Sequence, residues 1–423
     1  MARIPAVSLH SRPDPLFVLA GGPGMAASSF YPQAAAPLAR VHLERDIVLV
    51  DQRGTGRSNG LYCNHDDSGL WAESRGAIGA EAAKCLAALE RRADVALYTT
   101  SLAVRDLDRV RAALGYPRID LYGVSYGTRV AQHYLRRFPE RVRAVILDGA
   151  VPPEVALGAS LPLDAQTALE DILARCVRDP ACHARFGDPL AAYHALHETL
   201  AKGPVIVRLP SPTTAEPMTM SFGALNFAEV LRLSSYTSEQ AALLPLLLEE
   251  AHAHGNFAPL ASQFLIVDRS YEDAIAEGMQ NTVVCTEDVP FYGRERLDRA
   301  RLARTFLGTF QLDGLEQVCA LWPRGPLDPD FHAPLDSATP VLILAGADDP
   351  VTPPADARLV ARGLRNHLIV ELEGTGHGQL AEPCIDRLME RFLERGSTAG
   401  LDASCAHRAR PFPFFTSFAG PAP

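Results

Sequence analysis

The segment IDLYGVSYGTRVAQHYLRRF, residues 119–138, decides the fold. Its first six residues read as a buried strand, and residues 126–138 read as a helix with Pro139 just past its end. Between them Gly123-Val124-Ser125-Tyr126-Gly127 fits G-x-S-x-G. A strand that turns sharply into a helix holds its central serine on a strained backbone, and glycines two residues to either side let neighbouring chain approach closely. The serine then projects at the C-terminal edge of a sheet. The next amide, that of Tyr126, sits at a helix N-terminus and can face a developing oxyanion. Ser125 is therefore the candidate nucleophile, and Tyr126 supplies a candidate oxyanion donor.

Working outward, residues 16–20 (LFVLA) and 47–50 (IVLV) are continuous apolar runs bounded by turn residues. Such runs suit strands buried on both faces. Residues 99–114 place Leu102, Val104, Leu107, Val110 and Leu114 at helical spacing, with Gly115 and Pro117 as a stop. Residues 144–147 (AVIL) are a further strand. This β-α-β-α-β order predicts a mostly parallel sheet with helices on both faces. The middle of the chain differs. Residues 163–177, 190–202, 227–233 and 239–254 read as helices, and only 205–209 and 282–284 look extended. The strand–helix rhythm returns with a strand at 341–344, a helix at 355–363, a strand at 368–372 and a helix at 384–394. The expected organisation is a first core segment at 1–150, a mostly helical insertion at 151–335, and a second core segment at 336–423. The Pro- and Phe-rich residues 408–423 are expected to be irregular.

A serine hydroxyl is a poor nucleophile unless a base, itself oriented by an acid, removes its proton. Both groups are available at strand ends, where sheets of this kind place their sites. Ala345-Gly346-Ala347-Asp348-Asp349-Pro350 follows the VLIL strand, and Gly374-Thr375-Gly376-His377-Gly378 follows the LIVEL strand. His377 is the histidine flanked by glycines after a strand, so it is the candidate base. Asp348 and Asp349 are both candidates for the acid. A second oxyanion donor is expected on the loop after the first apolar strand, Gly21-Gly22-Pro23-Gly24. Pro23 has no N–H, which leaves Gly22 or Gly24.

Composition narrows the function classes. The 423 residues are 47% hydrophobic and 21% charged, ordinary for a folded protein and unlike collagen, coiled coil or bulk disorder. A net charge of −10 argues against a nucleic-acid partner, which calls for a basic face. No apolar run reaches the ~18–20 residues that span a bilayer. There is no CxxC pair to indicate a zinc ribbon or a thioredoxin-type site, and no metal or organic cofactor is implied. The eight cysteines, an even number, suggest disulfides and an oxidising compartment. The N-terminal MARIPAVSLHSRPDP, however, has no signal-peptide apolar region, which leaves the cytoplasm open.

Taken together, GGPG at 21–24, DQRGTGRS at 51–58, GVSYGT at 123–128, DPVTPP at 349–354 and GHG at 376–378 resemble the α/β-hydrolase superfamily. More narrowly they resemble peptidase family S33, the proline iminopeptidase and tripeptidyl aminopeptidase group, although the usual histidine before GGPG is Ala20 here. The resemblance implies an α/β-hydrolase fold with a helical cap. It implies Ser125, His377 and Asp349 as a triad, because Asp349 directly precedes PVTP, and it favours Gly22 as the partner of Tyr126 in the oxyanion hole. DQRGTGRS would be structural, with Asp51 and Arg53 pairing to hold the loop.

The implied activity is a serine aminopeptidase that releases N-terminal residues through an acyl-enzyme. Its substrate's free amine would be held by cap carboxylates, Glu287 first and Asp288 second. Competing readings are an esterase or amidase of small acyl compounds, and a catalytically dead binding protein on the same fold. Family members usually carry two or more strands before the GGPG strand, and MARIP at 1–5 resembles the end of one. The expectation is a chain whose first strands are missing and whose home is the periplasm or the exterior. Proximity along the chain suggests Cys63–Cys85, Cys176–Cys182, Cys285–Cys319 and Cys384–Cys405. The last two resemble pairs in secreted relatives, while connectivity does not follow from sequence alone.

Overall fold

The computed structural model describes residues 1–63, 75–294, 297–408 and 410–422. Its strands, in chain order, are β1 (Ala2–Ile4), β2 (Leu16–Leu19), β3 (Ile47–Leu49), β4 (Ile119–Val124), β5 (Val142–Asp148), β6 (Val205–Pro210), β7 (Pro217–Phe222), β8 (Val341–Gly346), β9 (His367–Leu372), β10 (Phe415–Ser417) and β11 (Gly420–Pro421). Seven of them form one sheet in the order β1-β3-β2-β4-β5-β8-β9. Every pairing in it is parallel except β1 with β3, where Ala2 faces Leu49 and Ile4 faces Ile47.

Alternation along the strands sorts their side chains to two faces. Phe17, Leu19, Val48, Leu121, Val145 and Ile343 pack with helices Thr100–Ala113, Tyr126–Arg137 and Pro354–Ala361. Leu16, Val18, Ile47, Tyr122, Ile146 and Leu344 pack with helices Ala27–Ala34, Ala39–Glu44 and Ile385–Arg395. Both faces are thus covered, which is why β2, β3 and β8 are apolar at every position. The fold is that of an α/β hydrolase.

Between β5 and β8 the chain is mostly helical, with the antiparallel hairpin β6–β7. This stretch has its own core, where Leu169, Ile172, Phe222, Phe227, Leu231 and Phe264 meet. Residues 282–284, expected to be extended, lie instead inside helix Glu277–Glu287. β-Branched residues disfavour a helix only weakly, and packing overrides that preference here: Val283 is fully buried, and Thr282 Oγ1 bonds Gly278 O in its own helix and Val95 O outside it. Residues 239–254 form two helices, Ser238–Ala241 and Leu244–His254, with Pro245 in the first turn of the second. The C-terminal residues are more ordered than expected. Phe415–Ser417 pairs with Gly420–Pro421, Phe414 is buried in the core of the helical stretch, and Phe412 and Phe415 pack against it.

The eight cysteines form the four disulfides Cys63–Cys85, Cys176–Cys182, Cys285–Cys319 and Cys384–Cys405. Such bonds persist in oxidising surroundings. Among the described residues, no helix is long and apolar enough to cross a membrane. Cys285–Cys319 joins helices Glu277–Glu287 and Phe310–Leu321 and closes the longest loop, with a separation of 34 residues. Replacing both cysteines with serine is expected to cost roughly 3–4 kcal/mol from loop-closure entropy. The check is a chemical denaturation curve, and an unchanged midpoint would show that this bond contributes nothing.

Candidate active site

Ser125 sits between β4 and helix Tyr126–Arg137 with φ +56° and ψ −128°. Few non-glycine residues adopt such a backbone, and packing must enforce it. The packing comes from the flanking glycines. A Cβ on Gly127 would collide with the Leu19 carbonyl, and one on Gly123 would collide with the Gly127 carbonyl. The Ser125 amide donates to Asp148 O at 2.9 Å, and Ser125 O accepts from Thr128 N at 2.8 Å and Thr128 Oγ1 at 2.6 Å.

The loops after β8 and β9 are joined by the hydrogen bond between His377 Nδ1 and Asp349 Oδ2 at 2.8 Å, and by one from Asp348 N to Thr375 O at 2.9 Å. Asp349 is held from every side. Its Oδ1 accepts from Val351 N at 2.8 Å and Thr352 N at 2.9 Å, and its Oδ2 accepts from Thr352 Oγ1 at 2.8 Å. Burial would lower the His377 pKa, but the Asp349 charge and hydrogen bond outweigh it and raise the imidazole above its ordinary value. The neighbouring Asp348 points elsewhere. Its Oδ2 lies 3.7 Å from Arg175 Nε on helix Leu161–Arg178, and burial pushes its pKa up to about 6.

Close approaches bring the His377 loop to the ends of β4 and β5. A Cβ on Gly149 would lie 3.1 Å from His377 Cε1, and one on Gly378 would lie 3.8 Å from Val124 Cγ2. Gly21 packs against the serine itself, since its Cβ would lie 3.1 Å from Ser125 Cβ and 3.6 Å from Ser125 Oγ. Gly22 follows at φ +105°, a conformation that only glycine adopts freely.

Three residues that sequence reading passed over complete the surroundings. Asp148, at the end of β5, is fully buried; its Oδ1 accepts from Gln379 N at 2.7 Å and its Oδ2 from Tyr122 Oη at 2.7 Å. It therefore grips the histidine loop with its side chain and Ser125 with its carbonyl, and burial pushes its pKa up to about 6. Thr352 bridges Asp349 and His377, with Oγ1 3.1 Å from His377 Nδ1. Tyr236 accepts the His377 amide at 2.7 Å and sets its ring edge-on at 5.2 Å. The Asp-Gly after a strand was a local signal for Asp148; Tyr236, in the helical stretch, left none.

Above these residues lies a cavity of about 570 Å³. Gly22, Tyr236 and Thr352 line it beside the site, and Leu225, Phe264, Leu307 and Leu315 give it apolar wall. Its described lining residues include the carboxylates Glu229, Asp268, Glu277 and Asp356 and one guanidinium, Arg232, which pairs with Glu229. Glu287 and Asp288, expected to face substrate, are not in that lining. They end helix Glu277–Glu287 on its inner side and are both fully buried. Glu287 accepts from Thr100 N and Thr100 Oγ1, and Asp288 accepts from Arg129 Nη1 and Leu157 N. Burial, then the adjacent Asp288, pushes the Glu287 carboxyl up to about 8. The expected Asp51–Arg53 pair is also replaced. Asp51 accepts from Ser28 N and Arg57 N, while Arg53 bonds Asp106 and Leu97 O.

A doubly covered, mostly parallel sheet with a strand–serine–helix turn after β4, and with the Asp349 and His377 loops after β8 and β9, defines a hydrolase of the α/β class. The chain belongs to the alpha/beta hydrolase fold family, whose family model matches residues 14–382. It is 28% identical over 402 residues to the serine protease Hip1 of Mycobacterium tuberculosis, covering 86% of this chain and 75% of that protein. It is 27% identical over 417 residues to a tripeptidyl aminopeptidase of Streptomyces coelicolor, covering 93% and 76%. It is 29% identical over 435 residues to carboxylesterase B of Mycobacterium tuberculosis, covering 96% and 82%.

Proposed function

We propose that this chain is a serine aminopeptidase of the S33 type, proline iminopeptidase-like, that releases N-terminal residues through an acyl-enzyme. The observation that carries the reading is the His377–Asp349 hydrogen bond beside a serine held at positive φ. In this reading Ser125 Oγ attacks the scissile carbonyl while His377 takes its proton. Asp349 keeps the Nδ1 proton in place and stabilises the imidazolium. The amides of Gly22 and Tyr126 hold the oxyanion, His377 protonates the leaving amine, and water completes hydrolysis. No metal or organic cofactor enters the scheme. Residues 151–335 act as a cap between the core segments 1–150 and 336–423, and the cap restricts entry to free chain ends. The carboxylates around the cavity favour a substrate that brings a cationic N-terminus. The four disulfides support a periplasmic or secreted home.

An esterase is the second reading, favoured by the apolar cavity wall and the similarity to carboxylesterase B. The two are separated with alanyl- and prolyl-arylamides, free or N-acetylated, alongside short-chain p-nitrophenyl esters. Free arylamides are expected to be cleaved, with acetylation lowering kcat/KM by roughly 10²-fold or more, because the acids then face an uncharged group. Cleavage of esters alone would establish the esterase instead, and indifference to acetylation an amidase that needs no free amine.

A further inference from the structure

The two buried acids outside the cavity lining reach the helix after the nucleophile, Asp288 directly at Arg129 and Glu287 by way of Thr100. Glu287 Oε1 accepts from Thr100 N at 2.7 Å, and Glu287 Oε2 bonds Thr100 Oγ1 at 2.8 Å. The same Thr100 hydroxyl lies 2.5 Å from the hydroxyl of Tyr126. Tyr126 is 1% exposed, and its backbone amide is the one proposed to face the oxyanion. One turn further along, Arg129 donates to Asp288 Oδ1 at 2.6 Å and to Val155 O.

We infer that Glu287, acting through Thr100 on the Tyr126 hydroxyl, is a positioning residue that fixes the oxyanion-hole amide of Tyr126. The inference rests on the serine-hydrolase reading of Ser125. The geometry explains why an acid is placed here. Thr100 opens helix Thr100–Ala113, whose first N–H groups have no partner within the helix, and a carboxyl oxygen of Glu287 at that end accepts from one of them. Once fixed, Thr100 presents its hydroxyl to the far end of the Tyr126 ring. A ring tethered at its hydroxyl and continuous with the backbone at its Cα resists rotation of the peptide that carries the donor. Asp288 and Arg129 secure the next turn of the same helix. Helix Glu277–Glu287 also contributes Glu277, Gln280, Asn281 and Val284 to the cavity wall. One helix therefore forms the substrate chamber with one face and braces the oxyanion donor with its inner end.

Donors act only when correctly placed, and a shift on the order of 1 Å costs up to about 10²-fold. The test uses Thr100→Val, which keeps the shape and deletes the hydroxyl, and Thr100→Ser, which keeps the hydroxyl. With p-nitrophenyl acetate, Thr100→Val is expected to lower kcat by roughly 10–100-fold with KM within about threefold, and to slow fluorophosphonate inactivation in parallel. Thr100→Ser is expected to stay within about threefold of the unchanged enzyme. Tyr126→Phe cuts the same link from the other end, and should match Thr100→Val without adding to it in the double variant. Wild-type kcat in Thr100→Val or Tyr126→Phe, or equal losses in Thr100→Val and Thr100→Ser, overturns the inference. Ser125→Ala is run alongside. If it still turns over the ester, the serine-hydrolase reading fails; if it is dead while Thr100→Val is fully active, only the positioning role fails.

Discussion

Replacing Ser125 with alanine is expected to lower kcat by roughly 10⁶-fold and to abolish labelling by a fluorophosphonate probe. The size of the effect follows from what is lost. Without Oγ no acyl-enzyme forms, and the base and acid have no proton to remove. What remains is binding and the oxyanion donors acting on water, about 10³–10⁴-fold over the uncatalysed reaction. Folding should survive, because the strain at φ +56° lies in the backbone and alanine brings no larger Cβ than serine. An unchanged melting curve with lost labelling assigns the effect to chemistry. Labelling of Ser125→Ala, or turnover within about 10²-fold of the parent, removes the serine from its role.

The second large effect is expected at Asp349 rather than at its neighbour. Asp349→Asn should lower kcat by about 10⁴-fold, because an amide presented to Nδ1 favours the tautomer whose proton points at Ser125. Asp348→Asn should stay within about tenfold, since its carboxylate faces Arg175 and not His377. The pH profile adds a signed readout. The base works when neutral, so kcat/KM rises with pH through the His377 pKa. That pKa is raised by the Asp349 charge and hydrogen bond, which moves the limb to higher pH than an ordinary imidazole would give. The charges acting on His377 are Asp349 and Asp148, which raise it, and Arg232, which lowers it. Removing the Asp349 charge is therefore expected to move the limb to lower pH. Comparable losses at the two positions, or a limb unmoved in Asp349→Asn, would contradict the assignment.

The core strands were legible because strands covered on both faces leave uninterrupted apolar runs, and the helices between them keep a 3.6-residue period. Residues 119–124 were expected as a strand and form one; residues 99–114 were expected as a helix, and Thr100–Ala113 is helical. The helical stretch was harder to read. Helices Ala258–Ala274 and Phe310–Leu321 leave no clear period in the sequence, and Thr282-Val283-Val284 reads as extended yet is helical. Local preference there is overruled by burial between helices distant in sequence.

By itself the sequence determined that Ser125, Asp348, Asp349 and His377 lie on loops at strand ends, because turns of this kind depend on nearby glycines and on the strands that precede them. The tertiary structure alone decided where each carboxylate points. Asp349 turns toward His377, 28 residues away, and Asp348 toward Arg175. Glu287 reaches back 187 residues to Thr100, so an acid expected to face substrate is held on the start of another helix and is not in the cavity lining. The physical reason is that a side chain's role depends on what desolvates it and which groups replace the lost water. Those partners come from segments that only folding brings together.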